Sequence, residues 1–532
     1  MKMVKSLILG SAAGLLAMSG AQAADLPVKA KAVEYVRICS LYGAGFFYIP
    51  GTDTCIKLGG YLRVDTTFNG GIYDAPNWSG DAGQQNRYKD YFATRSRLAL
   101  TVDTRTATEY GVVRTFGQGD FNFSTIGSNT YNPASINTVS PVGGVQLLDT
   151  PGNGYVSVEY AFIQFAGFTF GKSSSAYATP WNGYPGNNTS FLLGGNDSVT
   201  GVNNIQYTAQ FGNGVSATIG LDDPVVFNRT VVANLTVPIT ATGALANAYA
   251  GVHAPDVVGN IRIDQAWGLF QISGALHEVN GSYNVLNTTA VPAGATGLAG
   301  AAPTGLSEIS GHPETKWGGS VMAALQIKNI PTGPGDDFKI DATWAKGDTK
   351  NVISTSSTSP SFTMFSGSGI GAYQSIGFGA TTDAVWLPAG GAGAFAGGDG
   401  ALHLTTAYGV RGAFNHNWDP YWSSSLFGSY SAVRYDGTAK LNICTIYTAA
   451  RVTAPSADYS CNPDFNVSML GVVTRWTPVK NLTFSAEALW AHLDQKFTGS
   501  ATLSPTAPKP TAVYQFKDQD TVSLNVRVQR NF

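Results

Sequence analysis

Four cysteines, Cys39, Cys55, Cys444 and Cys461, and six histidines are the side chains here with the widest chemistry. Their spacing favours disulfides over a metal. No Cys-x-x-Cys occurs and the histidines are scattered, so the usual zinc-holding sets are missing. The spacing favours two local pairs, Cys39 with Cys55 and Cys444 with Cys461, among the three connectivities that four cysteines allow. Counted as lost chain entropy, closing loops of this length contributes about 3 kcal/mol each. No P-loop lysine motif, Gly-x-Ser-x-Gly or His-Glu-x-x-His is present. The run Gly398-Asp399-Gly400-Ala401-Leu402 is similar to one calcium-binding nonapeptide, but that architecture needs tandem copies, so a glycine-rich loop is expected. An enzyme would have to draw on His403, His416 or His492 as its base. No enzymatic chemistry, cofactor or metal is expected.

Arginine is the other chemistry-bearing type. Arg63, Arg95, Arg97 and Arg114 lie early in the chain, and Arg95 and Arg97 alternate with Leu98, Leu100 and Val102 in the opposite column. Such a cluster on a barrel's inner face is a basic wall that favours anions. Equally, these arginines can pair with Asp65, Asp103 or loop carboxylates and stiffen the wall.

The elements that must position them have a two-residue period. From Thr521 to Phe532, Val522, Leu524, Val526, Val528, Arg530 and Phe532 form one column, against Thr521, Ser523, Asn525, Arg527, Gln529 and Asn531. This suits a barrel wall between lipid and water. Arg530 breaks the apolar column one pleat from the end, where its stem can carry the guanidinium to the headgroups. Ile56, Leu58, Leu62, Val64 and Phe68 likewise oppose Lys57, Tyr61, Arg63, Asp65 and Thr67. A Lys or Arg facing lipid at mid-membrane costs roughly 2 to 4 kcal/mol, so the charged columns should line a wet interior.

Sixteen such segments are expected, near 56 to 68, 91 to 103, 109 to 121, 153 to 165, 168 to 172, 204 to 211, 215 to 222, 257 to 264, 268 to 278, 315 to 328, 338 to 347, 404 to 416, 422 to 435, 466 to 477, 481 to 492 and 518 to 532. The connections alternate between a few residues and twenty or more. That alternation is expected of an all-β, transmembrane, antiparallel 16-stranded β-barrel with short periplasmic turns and long extracellular loops. The third long connection, from Ser173 to Asn203, carries Tyr177, Trp181, Tyr184 and Phe191, with Asp197 its only carboxylate. So aromatic a loop is expected to fold into the pore and narrow it.

Composition agrees. Only 12% of residues are charged, mean hydropathy is near zero, and 63 glycines accompany 24 tyrosines, 27 phenylalanines and 10 tryptophans. Val231 to Val252 is free of charge, but Pro238 and repeated Thr and Gly make it a loop rather than a spanning helix. Lys2 and Lys5, the apolar run Leu7 to Met18 and Ala21-Gln22-Ala23 form a secretory signal. Residues 1 to 23 are thus expected to be removed, 24 to 55 to form an N-terminal periplasmic segment closed by a disulfide, and 56 to 532 to form the pore domain. Loss of the two lysines takes the formal charge from −2 to −4, and no basic stripe points to nucleic acid.

The stretch Val36-Arg37-Ile38-Cys39 through Tyr42-Gly43-Ala44-Gly45-Phe46-Phe47-Tyr48-Ile49-Pro50-Gly51-Thr52-Asp53-Thr54-Cys55 to Gly60-Tyr61-Leu62-Arg63 resembles the start of mature alphaproteobacterial porins. Thr108-Glu109-Tyr110-Gly111, Asp264-Gln265-Ala266-Trp267-Gly268 and the terminal strand are similar to that family too. The resemblance implies a homotrimer of 16-stranded barrels among outer-membrane lipids. Each would be a passive diffusion pore for small hydrophilic solutes and ions, partly closed by its third loop. It also implies Phe532 as the C-terminal signal for the barrel-assembly machinery. Here the third loop has few acids to oppose the basic wall. Alternatives of other classes are a substrate-specific channel with a saturable solute-binding site, an outer-membrane barrel enzyme and a secreted adhesin.

Overall fold

The computed structural model describes residues 37–71, 76, 91–124, 154–196, 200–224, 229–237, 239–284, 311–353, 361–366, 374–391, 393–505 and 509–532. The expected signal segment and Asp197 lie outside the described residues.

Sixteen antiparallel strands close on themselves. They are β1 (Cys55–Phe68), β2 (Phe92–Thr108), β3 (Gly111–Ser124), β4 (Tyr155–Phe165), β5 (Phe168–Ser173), β6 (Val202–Gly212), β7 (Val215–Asp222) and β8 (Asp256–Gln265), followed by β9 (Gly268–Val279), β10 (Lys316–Lys328), β11 (Asp337–Lys346), β12 (Thr406–Asn417), β13 (Trp422–Arg434), β14 (Phe465–Val479), β15 (Leu482–Gln495) and β16 (Gln519–Asn531). Each pairs with its sequence neighbour. The cylinder is completed by β16 on β1, with Tyr61 opposite Asn531 and Phe68 opposite Leu524. All sixteen expected segments are strands, and their ends differ from expectation by at most a few residues.

The short connections share one rim and the long ones the other. Asn213 and Gly214 both have positive φ, 50° and 74°, as a two-residue hairpin of primed type requires. Ala166 and Gly167 turn in the same left-handed region, at 49° and 86°. A short strand, Phe47–Tyr48, pairs with the start of β1 at this rim, and the Cys39–Cys55 disulfide closes the loop that contains it.

The two strand faces are as the alternation predicts. Leu58, Leu62, Val64, Val522, Leu524 and Val526 are exposed on the outer face, while Asp65, Thr67, Ser523, Asn525 and Arg527 are buried inside. An apolar belt this large is incompatible with water and fits a bilayer. Aromatics bound it at both rims: Tyr110, Trp267, Trp418 and Tyr421 by the short turns, Tyr91, Phe92 and Trp317 at the other end. Arg530 stays on the outer face and donates to the Lys480 carbonyl in a short turn.

The lumen departs from expectation. On β13 to β15 the inward column turns apolar toward the long-loop rim, with Phe427, Val433, Phe465, Val467, Met469, Val473, Leu489, Ala491 and Leu493 all buried. They are covered by the long loops, which fold into a core of their own. Strands Ser361–Ser366, Ser375–Ala380, Ser500–Leu503 and Ala512–Phe516 form one small sheet, and Val231–Asn234, Thr382–Trp386 and His403–Leu404 another. Helix α1 (Gly437–Arg451), capped by Asp436 and tied by Cys444–Cys461, lays Ala439, Ile443, Ile446 and Tyr447 on this core. The pleat put these columns inside; burial against loops rather than water made them apolar. Val231 to Val252 holds a short strand and loop, and among the described residues no helix is long and apolar enough to cross a membrane.

Leu524→Arg, at mid-height of β16 on the outer face, is expected to destabilise the barrel by about 2 to 4 kcal/mol. Denaturant titration in lipid vesicles, followed by the mobility of unboiled protein, measures it. Asn525→Arg on the inner column would not carry this lipid penalty.

Candidate functional site

The third long connection folds inside the barrel and is stitched to the wall along its length. Near its start, Asn260 Nδ2 of β8 donates to the Ala176 carbonyl at 2.6 Å, and Gln271 Nε2 of β9 donates to that of Ala178 at 2.7 Å. At its tip, Arg475 Nη2 of β14 donates to the Gly186 carbonyl at 2.6 Å and its Nε to Asn188 Oδ1 at 2.8 Å. Glu487 of β15 accepts from the Asn188 and Thr189 amides and the Thr189 hydroxyl, and Arg527 of β16 donates to the Asn188 carbonyl. On the way back, Arg411 of β12 donates to the Leu192 and Asn196 carbonyls and pairs with Asp341 of β11 at 2.9 Å, both side chains fully buried.

Backbone contact is possible because the sequence removes side chains there. A Cβ on Gly186 would sit 2.5 Å from the Ala413 Cβ, and one on Gly409 would sit 2.6 Å from the Gly194 Cα. Gly194 also has φ 97°, which a side chain would strain.

The expected constriction aromatics are in this loop, but they anchor it more than they line open space. Tyr177 and Phe191 are each 1% exposed. Tyr184 donates its hydroxyl to the Ser190 carbonyl, its ring 5.3 Å from the Arg411 guanidinium, and Trp181 Nε1 donates to the Gly183 carbonyl. Asn182 reaches across to Tyr160 Oη on β4 at 2.9 Å.

The opposite wall holds the early arginines, all facing inward and mostly matched by carboxylates. Asp65 is shared by Arg95, at 2.9 Å, and Arg527. Arg97 lies 2.7 Å from Asp120 and 3.7 Å from Glu159, with its Nε on Asn122. A bulge in β4 makes this second carboxylate available: the register shifts opposite Gln118 and Gly119, so Glu159 and Tyr160 are not forced onto opposite faces. Asp103 holds Arg105 and Arg114, each at 3.0 Å, near the short-turn rim.

Arg63 differs. Its Nε donates to Gln529 Oε1 at 2.8 Å and its guanidinium stacks on Tyr61, but among the described residues no carboxylate lies within ion-pair distance. Lys57 is exposed at the rim with its ammonium 5.9 Å from the Phe46 ring, over which Arg105 also lies. The sequence expectation missed Arg411 and Arg475. Their signal was a single cation within an otherwise small or neutral inward column.

Residues 25–525 match the family described as the Porin subfamily. The chain belongs to this family. Porin Omp2b of Brucella suis is 34% identical over 273 residues, 50% of this chain and 64% of that protein. Porin Omp2b of Brucella abortus (strain 2308) is 35% identical over 273 residues, 50% of this chain and 63% of that protein. The matched stretch thus spans less than two thirds of these relatives. Among solved structures, the outer membrane channel DcaP of Acinetobacter baumannii superposes with a TM-score of 0.53 at 14% identity, over 91% of this chain and 99% of that one, a likeness of fold. Membership places the barrel in a Gram-negative outer membrane.

Arg411→Met leaves Asp341 buried without its cation, which costs about 3 to 5 kcal/mol. It also releases the returning limb of the porin loop. A lower unfolding midpoint with larger, noisier single-channel steps is the expected result.

Proposed function

We propose that this porin is a water-filled passage through the outer membrane, by which small hydrophilic solutes and ions diffuse down their gradients, and that it works as a homotrimer. The supporting observation is the loop fastened across the lumen from β8 to β16, opposite a charged wall on β1 to β4. The long-loop half over β13 to β15 is filled by apolar core, so the passage runs off-centre, past the loop on the side of β1 to β9. Size exclusion follows from that gap. No energy source and no chemical step are involved.

In this reading Tyr61 and Arg63 face the narrow part, with Asp65, Arg95 and Arg97 buried in the wall behind them, Arg114 and Lys57 lie toward the periplasmic mouth, and the loop carrying Tyr177, Trp181, Tyr184 and Phe191 sets the opening. Around it Arg63, Arg95, Arg97, Arg475 and Arg527 meet Asp65, Asp120, Glu159 and Glu487, an excess of one cation. Selectivity for anions is therefore weak and rests largely on Arg63, which makes no direct ion pair among the described residues. Outer-membrane lipids surround the apolar belt, and Phe532 is the terminal signal for the assembly machinery.

Protein inserted into a planar bilayer under a KCl gradient tests this. Ohmic steps closing in thirds are expected, with a reversal potential of mildly anion-selective sign. Arg63→Gln should move that potential toward cation selectivity while barely changing the steps. Well-folded protein without conductance would overturn the reading.

A further inference from the structure

Below the inserted loop, on the short-turn side, the lumen opens into a recess of about 440 Å³ between residues 174–182 and the inner faces of β6 to β9. Its lining differs from the arginine wall across the barrel. Gln206, Gln210, Ser216, Thr218, Asn260 and Gln271 contribute amides and hydroxyls. The only ionic groups lining it, among the described residues, are Arg262 and Asp264, joined at 3.0 Å, and Lys328 adds its ammonium to the same carboxylate at 2.9 Å. The charges are thus committed to one another.

Each amide or hydroxyl can donate and accept at once, as each hydroxyl of a polyol or sugar does, whereas ammonium only donates and carboxylate only accepts. Several acceptors and donors are also still available. Among the described residues Gln210 and Ser216 make no side-chain hydrogen bond, and Gln206 Oε1 is buried without a donor while its Nε2 holds the Ser174 carbonyl. Asn260 and Gln271 use their NH2 groups on the loop and keep their carbonyl oxygens. A metal would lack ligands with one carboxylate, and an organic anion would have to compete with Asp264 for both cations.

We infer that this recess is a subsite for neutral polyhydroxylated solutes of oligosaccharide size, met at the periplasmic face of the loop. The inference rests on the diffusion-channel reading and names one solute class within it. A solute resting here occludes the off-centre passage, so salt current falls saturably with sugar concentration.

Maltotriose titrated against KCl conductance in a planar bilayer is the test, with polyethylene glycol of equal hydrodynamic size as an ether-only control. The expected result is a saturable block by maltotriose that the glycol does not match. Gln210→Leu or Ser216→Ala, which break no bond holding the loop, should raise the half-blocking concentration roughly two- to tenfold per lost hydrogen bond. Folding of each variant is checked by its unboiled mobility and unchanged salt conductance. Equal reduction by sugar and glycol, or block unmoved in both variants, would overturn the subsite while leaving the channel reading intact. Missing salt conductance in the parent protein would overturn both.

Discussion

A backbone amide or carbonyl that faces hydrocarbon has no water to turn to, and an unpaired one costs several kcal/mol. Sixteen strands meet that demand only by closing, which β16 does against β1. The closure ends in a reciprocal pair: Phe532 accepts from the Gly60 amide at 3.2 Å and donates to the Gly60 carbonyl at 3.1 Å. Gly60 has φ 150°, and a Cβ there would collide with the Ala99 carbonyl. A glycine at that place lets the first strand be gripped from both sides, by β2 and by the chain's last residue. Every inward side chain owes its direction to this cylinder.

Inside it, two kinds of contact divide the space. Toward the exterior rim of β13 to β15 the loops exclude water and pack Phe427, Phe465 and Met469 against their own apolar residues. At mid-height polar groups take over, and each buried charge that holds the third loop is met by carbonyls, amides or an opposite charge. Breaking such a pair leaves an uncompensated ion, which is why the loop is fixed in place although little apolar area holds its tip. Only the sector facing β1 to β9 stays open enough for solutes.

Much of this was legible because strands have a period of two and one face is in lipid. Leu58, Leu98, Leu524 and Trp490 could be placed outward from their columns, and Arg95 and Arg97 inward, before any partner was known. The inward fold of the third loop followed from its aromatic, nearly uncharged composition. The fate of those aromatics did not: whether Tyr177 lines a pore or is buried depends on Met322 and Ala324, residues nearly 150 positions away. The filled lumen had a signal in Val467, Leu470, Val472 and Val473, where both columns are apolar. Alternation alone could not say which loop would cover it. The partners of the arginines were equally hidden, since Asp65 and Arg527 lie 462 residues apart.

The loop core also adjoins the closing strand in the chain. Its small sheet joins Ser375 and Ile376 to Gln515 and Phe516 in parallel, and β16 begins three residues later at Gln519. Contacts between such distant segments form slowly, because the intervening chain must first be gathered. Along the chain, the strand that seals the wall follows directly on the last piece of the interior. A chain that sealed first would have to thread its filling through the mouth, whereas one that docks residues 512–516 first carries its closing strand into place as it fills.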